Sequence, residues 1–234
     1  MKHRHFSKGS EWALTKPKVV LFDLDGTLVD TDDDLGAALN HVLQQKGLPE
    51  VTAAQYRPVA SHGAKGLLEL GFAERLVEFD FTELRNAFLN HYAEHIADHS
   101  CAFPGVTELL AYCEQQQIRF GIVTNKPWSL ANALVKRLTT LSSCALLLGG
   151  DSLPVRKPHP APLWLCCQQL AVKPSECWYV GDAQRDIEAA NRAGMTSIIA
   201  EYGYLGPTDE PESWQADLRV ASVAKLEELL RSLS

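Results

Sequence analysis

Short apolar runs alternate with amphipathic stretches over the C-terminal part of the chain. Apolar residues at helical spacing predict helices over 106–116, 129–138, 160–170, 186–193 and 223–233. The short apolar runs between them predict strands over 119–124, 145–148, 178–180 and 196–200. Strands that alternate with helices form a parallel sheet covered on both faces. The apolar run 19–22 supplies a further strand, so the pattern predicts an α/β fold with a Rossmann-like, doubly wound parallel sheet.

Between this first strand and residue 100 the pattern is helical. Apolar residues at 35, 38, 39, 42 and 43 lie on one face of a helix that ends near Gly47. Shorter helical patterns cover 53–57, 65–70 and 82–97, and no convincing strand stands among them. We therefore expect an all-α insertion over 35–99, and a sheet domain made from residues 17–34 and 100–234.

Composition limits the class of protein and its partners. The chain has 234 residues, of which 46% are apolar and 22% charged, as in ordinary soluble globular proteins. Its net charge of −7 argues against nucleic acid or an anionic membrane as the main partner. No stretch approaches the ~18 apolar residues that a spanning helix needs. We expect a cytoplasmic protein without nucleic-acid or membrane partners, and the sequence leaves monomer and homodimer open.

The first 16 residues and the cysteines carry little chemistry. The start is basic but lacks the apolar core of a signal peptide, so residues 1–16 are predicted to be a mobile leader. His3 and His5 are interpreted as part of a solvated tail rather than as metal ligands. The six cysteines include no C-x-x-C pair, and most stand in apolar runs. This favours reduced, buried thiols over a zinc site or a catalytic thiol.

Two carboxylates follow the first strand directly, in the sequence Asp23-Leu-Asp25-Gly-Thr. The carboxyl ends of parallel strands are where open α/β sheets bind ligands. Two aspartates separated by one residue can divide two tasks, because one carboxylate can attack while the other moves protons. Gly26 permits a sharp turn and Thr27 can steady it. Alone, the motif is also a common turn.

Three later signals stand at or just beyond strand ends on the same predicted edge. Thr124-Asn125 offers a hydroxyl and a backbone N–H for phosphate oxygens, and Lys157 lies in a loop that two prolines stiffen. Asp182 and Asp186, four apart at a strand-to-helix junction, suit a magnesium site. Each signal alone has an ordinary alternative: a strand-end threonine, a surface lysine, or a helix-capping aspartate. Together they form a consistent set.

In this order, the four motifs resemble those of haloacid dehalogenase superfamily phosphatases with a helical cap inserted after the first motif. The resemblance covers residues 18 to 233. It implies that Asp23 attacks phosphorus and forms an aspartyl-phosphate, while Asp25 serves as acid and then base. The presence of Asp25 argues against a dehalogenase, because dehalogenases of the family generally lack this second aspartate.

The resemblance also implies a cofactor, Mg²⁺, and the residues that bind it and the phosphate. Mg²⁺ would be held by Asp23, the main-chain carbonyl of Asp25 and Asp182, with Asp186 as a ligand or a supporting acid. The remaining phosphate oxygens would be held by Thr124, the amide of Asn125, and Lys157. The partner is therefore expected to be a small-molecule phosphate ester.

Substrate choice is expected to lie in the inserted helices. The loop 60–66 has two glycines around Ser61, His62 and Lys65, which suits contact with a substrate carboxylate or hydroxyl; the alternative is a plain helix-entry loop. The chain as a whole resembles phosphoglycolate phosphatases. The sequences Ser-His-Gly-Ala-Lys at 61–65 and Tyr-Gly-Tyr at 202–204 resemble the branch that acts on N-acetylmuramic acid 6-phosphate. We favour the sugar phosphate, with 2-phosphoglycolate as the alternative.

Two further interpretations concern acidic residues. The run 32–34 stands at the start of a predicted helix, where the helix dipole stabilises carboxylates, and this interpretation is preferred to a second metal site.

A phospho-aspartate signalling module without turnover is the alternative hypothesis from outside the enzymes. Such receiver domains carry their aspartate on a middle strand and have no helical insert after the first strand, so an enzyme is preferred.

Overall fold

The computed structural model describes residues 14–233, and a parallel sheet of six strands forms their centre. The sheet strands are β1 (Val19–Phe22), β4 (Arg119–Val123), β5 (Leu147–Leu148), β6 (Cys177–Gly181), β7 (Thr196–Ala200) and β8 (Leu218–Val220). They are arranged in the order β5-β4-β1-β6-β7-β8, and every neighbouring pair is parallel. A separate antiparallel pair joins β2 (Val29–Asp30) to β3 (Cys101–Ala102).

The chain reverses direction across the sheet at β1. From β1 it proceeds outward through β4 and β5, then returns to β6 on the other side of β1 and continues to β7 and β8. In doubly wound sheets, ligands bind beyond the carboxyl ends of the strands at such a switch point. The polar residues that follow β1, β4 and β6 therefore share one edge of the sheet.

Helices cover both faces of this sheet, and the core explains why. Val20 and Phe22 of β1 pack into one apolar cluster, whereas Val19 and Leu21 pack into a second cluster on the opposite face. Alternate side chains of a strand point to opposite faces, so a run that is apolar at every position needs helices on both sides. The helices after β3 are α5 (Val106–Gln115), α6 (Trp128–Arg137), α7 (Ala161–Gln169), α8 (Gln184–Ala193) and α9 (Val223–Ser232).

The chain between β2 and β3 is helical, as the sequence predicts. It forms α1 (Asp32–Gln45), α2 (Ala53–Tyr56), α3 (Gly63–Phe72) and α4 (Phe81–Glu94), with short 3₁₀ helices over 57–62 and 73–78. Helix α1 packs against α3 and α4 through buried Leu39, Leu68 and Phe88. The predicted fold class, a Rossmann-like sheet with an inserted helical segment, is confirmed.

The sequence patterns do not predict three of the strands in the described part of the chain. β2 and β3 have two residues each, and β8 has three, so none is long enough to establish a period of two. The predicted strand over 145–148 is shorter, because only Leu147 and Leu148 pair with β4.

Carboxylates at the start of α1 have more specific partners than the helix dipole. Asp34 accepts 2.9 Å hydrogen bonds from the backbone N–H groups of His99 and Ser100, and Tyr56 donates its hydroxyl to Asp33 at 2.9 Å. Asp34 thereby joins the first and last parts of the helical segment. The acidic run has a structural use that the sequence argument did not identify.

The remaining composition-based predictions concern the leader, the thiols and the membrane. Residues 1–13 of the predicted leader lie outside the described residues, while Lys16 donates to Gln116 at 2.7 Å. All six cysteines are free thiols, and four are buried, although Cys101 is exposed. Across residues 14–233, every helix is too short or too polar to span a membrane.

Candidate active site

Three buried carboxylates meet where β1 and β6 end. Asp23 directly follows β1, and its N–H donates to the carbonyl of Val180 on β6 at 2.9 Å. Asp182 follows β6, and Asp186 lies in the first turn of α8. One carboxylate oxygen from each aspartate lies within 4.8 Å of the other two, so the sheet brings together residues more than 150 positions apart. The Asp25 carboxylate lies outside this group.

A buried lysine compensates part of this charge. The Nζ of Lys157 lies 3.1 Å from Oδ1 of Asp23 and 2.8 Å from Oδ1 of Asp186, and it donates to the hydroxyl of Tyr179 at 2.7 Å. Burial raises the pKa of Asp23, but Lys157 and Arg185 outweigh burial and lower it below its usual range. The carboxyl group of Asp23 is therefore ionised at neutral pH. The ordinary alternative for Lys157, a surface lysine, is wrong.

Within residues 14–233, Asp182 is the member of this cluster that forms no ion pair with a lysine or arginine. Burial, together with the charges of Asp186 and Asp23, raises its pKa to about 7. Burial is the largest cause of this shift and the two neighbouring carboxylates add to it, and a divalent cation would offset both. Buried carboxylate oxygens are the ligands that Mg²⁺ prefers. The donor set therefore fits such an ion.

Hydrogen bonds from three parts of the chain hold Asp182 in place. Oδ1 accepts from the hydroxyl of Thr27 at 3.1 Å, and Oδ2 accepts from the hydroxyl of Ser61 at 2.6 Å and the N–H of Tyr204 at 3.0 Å. Gly203 is required here, because an added Cβ would lie 2.3 Å from the Cβ of Asp182. Ser61, predicted as a substrate residue, thus contacts the acidic cluster itself.

Asp25 lies beside this cluster and has its own partners. Its Oδ1 accepts from the hydroxyl of Thr31 and from Nζ of Lys126, both at 2.8 Å. Lys126 also donates to the hydroxyl of Tyr92 on α4 at 2.8 Å. Sequence reasoning missed Lys126 and Tyr92. The sequence feature that could have indicated Lys126 is its position directly after Thr124-Asn125, at the end of a predicted strand.

The loop after β4 carries Thr124 and Asn125, two of the residues that are predicted to bind phosphate. Thr124 is buried and its N–H donates to the carbonyl of Leu148 at 3.0 Å. The side-chain amide of Asn125 donates to the carbonyl of Lys157 at 2.9 Å, so two of the predicted phosphate-binding loops are joined. Gly150 makes this packing possible, since a Cβ there would lie 2.2 Å from the Asn125 carbonyl oxygen.

A cavity of about 880 Å³ lies between this edge of the sheet and the helical segment. Asp23, Asp25, Thr124, Asn125 and Lys157 line its floor. Its basic lining residues are Lys65, Arg85, Lys126, Arg156 and Arg185, and its apolar ones include Phe81, Phe88, Leu89 and Leu130.

The three cap residues that the sequence singled out all line this cavity. Ser61 points to Asp182 through its hydroxyl, and its carbonyl accepts from Arg185 at 2.7 Å. Burial and the charge of Arg185 lower the pKa of His62. Lys65 has a side chain that is 75% exposed and lies 3.7 Å from Glu69. Lys65 is therefore accessible to a ligand, whereas Ser61 is already engaged.

Family comparison agrees with this geometry. The model of the haloacid dehalogenase-like hydrolases matches residues 20–200, which include Asp23, Thr124, Lys157 and Asp182. The chain belongs to this family. The receiver-domain alternative is thereby set aside, in agreement with the helical segment between β2 and β3.

The relatives of this chain are phosphatases. It is 43% identical over 210 residues to a phosphoglycolate phosphatase of Xanthomonas campestris, a match that covers 90% of this chain and 95% of the relative. It is 38% identical over 213 residues to an N-acetylmuramic acid 6-phosphate phosphatase of Pseudomonas aeruginosa, with coverages of 91% and 94%. A crystal structure of a predicted phosphoglycolate phosphatase from Haemophilus somnus matches with a TM-score of 0.82 at 29% identity, covering 93% and 99%. This chain is a phosphatase of the same family.

Proposed function

We propose that the protein is a Mg²⁺-dependent phosphomonoester hydrolase that acts through an aspartyl-phosphate on Asp23. The observation that carries the proposal is the buried Asp23 carboxylate, which faces Lys157 at 3.1 Å beside two further carboxylates at the switch point of the sheet. An ionised carboxylate in a cationic, metal-binding setting is suited to nucleophilic attack on phosphorus.

Charge compensation is the main task of this site. A carboxylate that approaches a phosphate meets like charge, and two unit charges at ~4 Å cost about 4 kcal/mol at an effective dielectric of ~20. Mg²⁺, held by Asp23, Asp182, Asp186 and the main-chain carbonyl of Asp25, would supply positive charge at this point. Lys157 supplies a second positive charge from the protein itself.

The chain's own groups would then divide the reaction. Thr124 and the N–H of Asn125 would hold phosphate oxygens, while Asp23 forms a bond to phosphorus. Asp25 would donate a proton to the leaving oxygen as the ester bond breaks. It would then accept a proton from the water that releases phosphate from Asp23.

We further propose that residues 35–99 act as the cap that selects the leaving group, and that N-acetylmuramic acid 6-phosphate is the preferred substrate. A cavity of about 880 Å³ with both basic and apolar walls suits a hexose that carries a carboxylate and an acetyl group. Lys65 and His62 are assigned to substrate contacts. The relative from Pseudomonas aeruginosa supports this choice.

2-Phosphoglycolate is the second candidate, because the relative from Xanthomonas campestris has the higher identity. The deciding experiment compares kcat/KM for the two esters with Mg²⁺. A hundredfold preference for the sugar, about 2.7 kcal/mol, would support the proposal. The reverse preference would assign 2-phosphoglycolate and show that much of the cavity is not used by the substrate.

The chemistry itself is tested with Asp23→Asn. This variant keeps the shape of the side chain and removes the attacking charge, so turnover of every ester should vanish while the circular dichroism spectrum is unchanged. Asp98→Asn, at an exposed aspartate that pairs with His95, is the matched control and should be as active as the wild type. Retained turnover in Asp23→Asn would show that another residue is the nucleophile.

A further inference from the structure

A buried ammonium group connects the proposed acid–base residue to the helical segment. Nζ of Lys126 lies 2.8 Å from Oδ1 of Asp25 and 2.8 Å from the hydroxyl of Tyr92, and its side chain is 5% exposed. The ammonium group of Lys126 therefore bridges the two elements.

Contacts with the surrounding structure hold both ends of this connection. The main chain of Lys126 is held by Thr124, whose hydroxyl accepts from its N–H at 3.2 Å, and by Gly150, whose N–H donates to its carbonyl at 2.8 Å. Tyr92 lies on α4 and is 1% exposed, and its ring centroid is 4.3 Å from Nζ.

We propose that Lys126 and Tyr92 are positioning residues that aim the carboxyl group of Asp25 at the leaving oxygen of the substrate. This proposal rests on the proposed function. Within residues 14–233, the hydrogen bonds to the Asp25 carboxylate come from Lys126 and Thr31 and both end on Oδ1, so Oδ2 is the oxygen that we assign to proton transfer. In the first step the Asp23–phosphorus bond forms, the ester bond breaks, and the proton of Asp25 passes to the leaving oxygen. In the second step a water oxygen bonds phosphorus, the Asp23–phosphorus bond breaks, and the water proton returns to Asp25.

The position of Tyr92 gives this arrangement a further consequence. Because the phenol belongs to α4, Tyr92 holds Lys126 beside Asp25 only when α4 lies over the sheet edge as it does here. Proton transfer by Asp25 thus depends on the position of the helical segment. A general acid must lie within hydrogen-bond reach of the leaving oxygen.

The test uses two esters that differ in their need for an acid. p-Nitrophenolate leaves without much proton assistance, whereas the alkoxide of a sugar or glycolate phosphate needs a proton. kcat/KM reports the steps up to formation of the aspartyl-phosphate, so the rate of hydrolysis of that intermediate does not affect it.

The variants are Tyr92→Phe, which keeps the ring, and Lys126→Met, which removes the charge. Tyr56→Phe is the matched control, since Tyr56 also donates to a carboxylate, Asp33, at 2.9 Å.

We expect Tyr92→Phe to lower kcat/KM about 10-fold for the faster of N-acetylmuramic acid 6-phosphate and 2-phosphoglycolate, and less than about 2-fold for p-nitrophenyl phosphate. Lys126→Met should lower the first value about 100-fold, with a much smaller loss for the second. Tyr56→Phe should change neither. The double variant should lose no more than Lys126→Met alone, because Tyr92 acts through Lys126.

Equal losses on the two kinds of ester would overturn the proposal, because a distorted site lowers both. So would wild-type values in Tyr92→Phe, which is expected to fold because its ring remains. Hydrolysis of p-nitrophenyl phosphate by the wild-type protein would show that the proposed phosphatase function holds even where the proposal on Lys126 and Tyr92 fails. A wild-type protein that hydrolyses none of the esters would contradict both.

Discussion

Arg57 and Asp30 form a two-point ion pair that fastens the helical segment to the sheet domain. The two terminal nitrogens of the guanidinium lie 3.0 Å from the two carboxylate oxygens of Asp30, and one of them also lies 2.8 Å from Asp32. The guanidinium stands 5.2 Å from the ring centroid of Tyr204, whose N–H binds Asp182. A residue of the predicted cap therefore contacts both β2 and the loop that supports the acidic cluster.

Arg57→Lys should weaken this connection. Lysine cannot form the planar two-point contact, but the Arg57 side chain is 40% exposed, so solvent screening limits the loss. We expect the free energy of unfolding to fall by about 1 kcal/mol, or roughly 2–4 °C in melting temperature. Arg75→Lys is the control, because Arg75 makes a similar contact with Glu78 on the surface, and it should leave the melting temperature unchanged. Equal effects in both variants would contradict a special role for Arg57.

Lys157→Met should be far more destabilising in the absence of metal. The Lys157 side chain is fully buried between Asp23 and Asp186, and removal of one partner from a buried ion pair typically costs about 3–5 kcal/mol. Thermal unfolding in EDTA measures this loss, and added MgCl₂ should recover part of it. Lys225→Met, at an exposed pair with Glu228, should change stability by less than about 0.5 kcal/mol. A metal-free Lys157→Met protein as stable as wild type would contradict the charge balance described for the site.

The position of the strand-end residues at one edge of the sheet follows from chain order, because β4, β1 and β6 are parallel neighbours. Asp23, Thr124 and Asp182 each follow a strand of the sheet, and carboxyl ends of parallel strands share an edge. Short apolar runs were enough to locate those strands. The family resemblance then assigned roles that spacing alone could not give.

The walls of the site could not be predicted in this way. Lys126 and Tyr92 are 34 positions apart, and Arg57 and Asp30 are 27 apart, so their pairing depends on how α4 and the 57–62 turn pack. No local periodicity reports such packing. For the same reason the loop pattern over 60–66 predicts a substrate contact at Ser61, but it does not indicate that the Ser61 hydroxyl donates to Asp182.

Metal binding should depend on pH through Asp182. Its pKa is raised from 3.8 to about 7. At a pH between these two values, Asp182 therefore holds a proton in the folded, metal-free protein and has lost it in the unfolded chain. The free energy of unfolding contributed by this group therefore falls as pH rises through that interval. Mg²⁺ needs the ionised carboxylate, so the melting-temperature gain from MgCl₂ over EDTA should grow up to about pH 7 and then level off.

Asp182→Asn provides the control for this prediction. The asparagine cannot ionise, so the difference between MgCl₂ and EDTA should become small and nearly independent of pH between about pH 5.5 and about pH 8.5. Asp98→Asn, remote from the cluster, should behave like the wild type. If Asp182→Asn kept the wild-type pH dependence, the proton released on metal binding would belong to another group.

Ser61→Ala tests whether the helical segment tunes the metal site. The Ser61 hydroxyl donates to Oδ2 of Asp182 at 2.6 Å, whereas its carbonyl, which binds Arg185, is untouched by the substitution. Groups that orient a metal ligand typically contribute about 10–100-fold in metal affinity, so we expect Mg²⁺ binding to weaken about 10-fold, measured by calorimetry and by the Mg²⁺ dependence of turnover. Ser213→Ala, at an exposed hydroxyl that donates to the Glu210 carbonyl, should bind Mg²⁺ normally. Tighter binding in Ser61→Ala would mean that the hydroxyl competes with the ion for Asp182, and that the helical segment must withdraw Ser61 before the metal binds.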